Sequence, residues 1–161
     1  MFSVISSVQA ALSRSSKAVL ATTLALASVL TVAVASAPAA NAATSTQRLG
    51  ALAVAKAQYG DPYRYGAAGP NAFDCSGLTS YSFRMKGVTI PRTADGQRKN
   101  LRAVAKANRQ RGDLILFVNS YGRAYHAAIY AGDNTIVHVS KPGTTVRRST
   151  IWTSRYVVRR P

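Results

Sequence analysis

Phe73-Asp74-Cys75-Ser76-Gly77-Leu78-Thr79-Ser80-Tyr81-Ser82-Phe83-Arg84-Met85-Lys86 carries the single cysteine of a 161-residue chain. Leu78, Tyr81, Ser82 and Met85 recur at helical spacing, so residues 75–86 read as a helix, closed by Gly87. Asp74 stands where an N-cap belongs. Cys75 therefore opens the helix, directly after a loop rich in Gly, Pro and Asn. A thiol there feels the positive end of the helix dipole and the free N–H groups of the first turn, which favours the thiolate. The thiolate is the nucleophile, and a neighbouring base completes its activation.

Working outward, residues 49–59 are rich in Ala, with Leu49, Leu52, Ala53, Lys56 and Ala57 on one face. They predict a helix ended by Gly60. Residues 61–71 form a turn-rich loop, and residues 91–106 are ambiguous, a short helix and loop. Beyond them the pattern turns to strands. Residues 113–118 form an apolar, buried strand. Residues 125–131 and 135–140 form a hairpin about Gly132-Asp133-Asn134. Residues 144–148 and 155–159 are weaker strands with exposed Arg. Helices followed by an antiparallel meander define an α+β domain: N-terminal helices packed on an antiparallel sheet of about five strands.

The two histidines, His126 and His138, both fall in the hairpin. If its loop is three residues long, either 126 faces 138 directly or 126 faces 140 with 138 as its diagonal neighbour. In both registers the imidazoles share a face, ~5–8 Å apart at Cβ. A one-residue slip, such as a two-residue loop, would separate them. The spacing permits a relay in which Cys75 attacks, His126 takes the proton and His138 orients His126. Two other readings stay open: a polar pair on a sheet surface, and a Cys–His–His zinc site. The second lacks a local ligand pair such as His-x-x-x-His, and no metal or other cofactor is expected.

Composition bounds the rest. The chain is 47% hydrophobic and 16% charged, which suits a packed globule and excludes a disordered tail. One Cys excludes an internal disulfide. Lys and Arg number 21 against five Asp and no Glu, a net charge of +16 that excludes affinity for cationic partners. The start is basic (Arg14, Lys17), residues 18–35 are apolar, and Ala40-Asn41-Ala42 is a small-x-small site. Residues 1–42 thus read as a secretory signal peptide, against the alternative of a retained membrane anchor. Cleavage after Ala42 would leave residues 43–161 as a single domain and, by loss of Arg14 and Lys17, take the charge from +16 to +14. No membrane contact is expected after cleavage.

Asp61-Pro62-Tyr63-Arg64-Tyr65-Gly66, Phe73-Asp74-Cys75-Ser76-Gly77-Leu78, Ile90-Pro91-Arg92-Thr93, Gln97, Gly112-Asp113-Leu114 and His126-Ala127-Ala128-Ile129-Tyr130 occur in this order. The series resembles the NlpC superfamily of bacterial cell-wall cysteine endopeptidases, over about residues 53–146. The resemblance implies a papain-like domain with Cys75 as nucleophile, His126 as general base and His138 as the orienting residue. It implies Tyr63 near the oxyanion site, where the Cys75 N–H would also act. Asp74 and Ser76 flank the nucleophile and would shape the helix start. Ala128 stands where Gly is usual and would narrow the cleft.

The implied activity is hydrolysis of peptidoglycan stem peptides, commonly after γ-D-glutamate, through a thioester. The positive charge would hold the protein on anionic wall polymers, giving a secreted, wall-associated enzyme. Arg147-Arg148 and Arg159-Arg160, with Trp152 and Tyr156 between, could suit nucleic acid, but an exported protein rarely meets it and none is expected. The other class is a catalytically idle, basic wall-binding or antimicrobial protein on the same fold.

Overall fold

The computed structural model describes residues 42–161. The expected signal peptide lies outside the described residues except for Ala42. Helix α1 spans Ser45–Ala57. It begins four residues before the expected start, because Thr44 and Gln47 form a reciprocal capping box: Gln47 N–H donates to Thr44 Oγ1 (3.2 Å) and Thr44 N–H to Gln47 Oε1 (2.9 Å). Helix α2 is Cys75–Arg84. The ambiguous segment resolves into α3, Ala94–Asn100, and a short strand β1, Arg102–Val104. Then come β2 (Leu114–Val118), β3 (Ala124–Gly132), β4 (Thr135–His138), β5 (Arg147–Thr150) and β6 (Tyr156–Arg160).

All pairings are antiparallel, in the order β1-β6-β2-β3-β4-β5. The sheet has six strands where about five are expected. The extra one, β1, pairs Arg102 with Arg160 and Val104 with Val158 at the far edge. Three residues, one of them charged, carry no period-2 signal, so only their partner reveals the strand. β5 starts at Arg147, later than expected, because Lys141 to Thr144 makes a tight turn in which the Thr144 hydroxyl donates to the Lys141 carbonyl (2.6 Å).

Both sheet faces are covered. Leu114, Leu116, Ala127, Ile129 and Val137 pack against Leu52, Phe73, Leu78 and Phe83 from the helical side. Ile115, Phe117, Ala128, Tyr130, Ile136, Tyr156 and Val158 form a second cluster on the other face. Burial on both sides is why β2 reads as a continuous apolar run rather than an alternating one.

The β3–β4 turn departs from expectation. Its loop is two residues, Asp133 and Asn134, with φ of 50° and 56°. These are the left-handed conformations of a type I′ hairpin turn, which Asn and Asp tolerate. Such a loop alone would put the two histidines on opposite faces. A bulge at Ala131 cancels the slip: Gly132 pairs with Thr135, but Tyr130 pairs with Ile136 and Ile129 with Val137. That register sets His138 across from Ala128, diagonal to His126 on the same face.

Candidate active site

Cys75 is the first residue of α2 and is half-buried. Asp74 caps the helix, its Oδ1 accepting from the Gly77 N–H at 2.6 Å. The same carboxylate is gripped by Arg92, with Nη1 2.9 Å from Oδ1 and Nη2 2.6 Å from Oδ2, and accepts the Gly66 N–H at 3.0 Å. Burial pushes the Asp74 carboxyl up, but Arg92 and the Gly77 and Gly66 amides outweigh it and hold it below the usual carboxylate range. Asp74 thus ties the helix start to two loops, and its oxygens are already committed. Ser76 is buried, its Oγ 3.3 Å from Asp74 Oδ1 and 3.2 Å from Arg92 Nη1. Behind them the fully buried Gln97 donates to the Pro91 carbonyl (2.9 Å) and to Thr79 Oγ1 (2.8 Å), pinning α3 to α2.

The Cys75 thiol meets the backbone N–H of Ala127, the residue after His126. Its pKa is raised. Burial is the largest cause and the Asp74 charge adds to it, while the Ala127 and Ser76 N–H groups pull the other way. The helix N-terminus, expected from sequence to leave a thiolate, does not prevail over desolvation; the resting group is a thiol that needs a base.

His126 and His138 are buried, at 5% and 3% exposure. His126 Nε2 lies 3.0 Å from His138 Nδ1, and His138 Nε2 lies 3.0 Å from Ser149 Oγ. Burial, then His138, pushes His126 down to about 3; burial, then Arg147, pushes His138 down to about 4. Both are neutral at neutral pH. Trp152 stacks on Phe117 with centroids 4.0 Å apart and planes at 4°, and its ring centre is 5.7 Å from that of His126 and 5.3 Å from that of His138. Sequence alone does not bring Ser149 or Trp152 to this site: Ser149 falls just past the weak strand expected over 144–148, and Trp152 stands among Arg residues. Among the described residues no group of three or more His, Cys, Asp or Glu is placed to hold a metal ion.

Tyr63 is half-buried and lines, with Tyr65, Cys75, Arg92, Arg123 and Tyr125, a cleft of about 640 Å³. Burial is the main cause that pushes its hydroxyl up, and a thiolate at Cys75 would add to it, so it stays a donor at neutral pH. A cavity of similar size, about 680 Å³, lies between Val88, Leu101 and Arg160, and neither the thiol nor either histidine lines it. Among the described residues no helix is long and apolar enough to cross a membrane.

A cysteine at a helix start, against the strand that carries the first of two hydrogen-bonded histidines in an α+β fold, defines a papain-like arrangement. Residues 60–160 match the NlpC/P60 family, and the chain belongs to it. It is 42% identical over 113 residues to a probable endopeptidase of Corynebacterium glutamicum, covering 70% of this chain and 53% of the relative. It is 35% identical over 100 residues to a γ-D-glutamyl-L-lysine dipeptidyl-peptidase of Bacillus cereus, covering 61% of this chain and 30% of that one. Among solved structures, the peptidoglycan hydrolase RipB of Mycobacterium tuberculosis is similar, with a TM-score of 0.65 and 28% identity, over 71% of this chain and 64% of that one. The chain spans about half the length, or less, of the curated relatives it matches.

Proposed function

We propose that this protein is an exported cysteine endopeptidase that hydrolyses stem peptides of peptidoglycan after γ-D-glutamate. The observation that carries the reading is the thiol at the N-terminus of α2, beside Ala127, together with a hydrogen-bonded histidine pair whose first member directly precedes Ala127. The substrate class is supported by the similarity to a γ-D-glutamyl-L-lysine dipeptidyl-peptidase and a peptidoglycan hydrolase.

Because His126 Nε2 is engaged by His138, the remaining nitrogen, Nδ1, serves the thiol. Sγ attacks the scissile carbonyl as its proton passes to Nδ1, and the C=O pair moves onto oxygen. The Cys75 N–H and the Tyr63 hydroxyl steady that oxyanion. Collapse expels the amine, which takes the proton from Nδ1, and leaves a thioester. Water then attacks, giving its proton to Nδ1; release of the acid returns it to Sγ. The imidazolium exists only transiently, next to His138. The basic net charge would hold the protein on anionic wall polymers, where mobile salt should weaken it.

The test is incubation of the protein and its Cys75→Ala variant with purified peptidoglycan, with soluble products read by mass spectrometry. Stem fragments released by the wild type alone, with masses marking a cut after γ-D-glutamate, are the expected outcome. Intact wall with both folded proteins would overturn the hydrolase reading in favour of an idle wall-binding protein.

A further inference from the structure

We propose that Ser149 is a positioning residue of the relay: by accepting a hydrogen bond from His138 Nε2, it holds both histidines in the tautomers that leave His126 Nδ1 able to take the thiol proton. The inference deepens the peptidase reading and rests on it.

A neutral imidazole has one N–H and one lone pair in its plane. The contacts of 3.0 Å from His126 Nε2 to His138 Nδ1 and from His138 Nε2 to Ser149 Oγ therefore admit two self-consistent directions. In the first, His126 donates from Nε2 to His138 Nδ1, and His138 donates from Nε2 to Ser149 Oγ. His126 Nδ1 then keeps its lone pair. In the second, Ser149 donates to His138 Nε2, His138 donates from Nδ1 to His126 Nε2, and His126 Nδ1 already bears a hydrogen. That direction yields no base. Only the first survives proton transfer unchanged, since imidazolium at His126 must still donate from Nε2.

The surroundings support the first direction. Ser149 is half-buried, so its own hydrogen can turn to solvent while its oxygen accepts. His138 is 3% exposed and so has little access to water in place of that oxygen. The groups facing His138 are His126, Ser149 and the Trp152 ring, with the Arg147 charge nearby. None of the others gives Nε2 an acceptor among the described contacts.

The test uses the 15N-labelled full chain, with Ser149→Ala and Ser149→Thr. Long-range 15N–1H spectra report which ring nitrogen carries the hydrogen, and kinetics follow a synthetic stem tetrapeptide containing γ-D-glutamate. The wild type and Ser149→Thr should show both histidines protonated at Nε2. Ser149→Ala should populate Nδ1–H at His138 and lower kcat about ten- to a hundredfold with KM little changed, as loss of a ligand-orienting partner does elsewhere. His138 protonated at Nδ1 in the wild type would overturn the proposal without reference to any variant. So would a folded Ser149→Ala with unchanged tautomers and kcat. If the wild type cleaves nothing, the peptidase reading fails, and the spectra alone decide the role of Ser149.

Discussion

Trp152 sets how wet the histidine pair is. Its indole is 50% exposed, yet it stacks on Phe117 and lies within 6 Å, centre to centre, of both imidazoles. Truncating it lets water reach His126 and His138 and weakens the desolvation that is the main cause of their lowered pKa values. Trp152→Ala should therefore raise the pKa of the base and move the acid limb of kcat/KM to higher pH by roughly one unit. Trp152→Phe, which keeps a stacking ring, should move it less. A pH–rate profile on the stem tetrapeptide checks this. At this scale the sequence makes the chemistry-bearing residues plain, because thiol and imidazole are rare here: one Cys and two His. It hides Ser149 and Trp152, since serine and tryptophan acquire a role only from what the fold sets beside them.

The start of α2 depends on a residue with no side chain. A Cβ on Gly77 would fall 2.0 Å from the Ala67 carbonyl oxygen. That oxygen belongs to backbone and accepts the Asp74 N–H at 2.9 Å, so it cannot swing away. Helix propensity alone would favour Ala over Gly by about 1 kcal/mol. The clash opposes this and should win: Gly77→Ala is expected to destabilise by about 1–3 kcal/mol net and to lower activity by shifting Cys75. Urea unfolding beside the cleavage assay checks both. The β3–β4 hairpin makes the parallel point. Alternation places His126 and His138 on inward strands, but it cannot count a bulge. The Asp133-Asn134 turn and the bulge at Ala131 each shift register by one residue, and their sum brings the pair together.

Across the whole molecule, buried neutral histidines make stability depend on pH. Both have folded pKa values, about 3 and about 4, below the ordinary 6.5. Unfolding frees them to bind protons, so their contribution is intact above pH 6.5 and is lost as pH falls toward 4 and then 3. Asp74, also lowered, adds a loss below its usual 3.8. Urea unfolding should show stability falling by on the order of a few kcal/mol between pH 7 and pH 4. His138→Gln, which does not titrate, should flatten that slope; an equal slope would contradict the assignment. Cohesion comes from another buried cluster: Arg160 grips the fully buried Asp113 with two contacts of 2.6 Å, and Arg48 of α1 lies 3.7 Å from it. This joins the first helix to β2 and the last strand.

The sequence by itself determined the α+β class, the cysteine at a helix start, the strand-borne histidines and the family, because each is written in local spacing and residue type. The tertiary structure decided the rest: the sixth strand, the bulge that sets the histidine register, the burial that keeps the thiol and imidazoles neutral, and the Ser149 and Trp152 contacts. Those depend on which distant segments share a surface and how much water they exclude, quantities that no window of sequence contains.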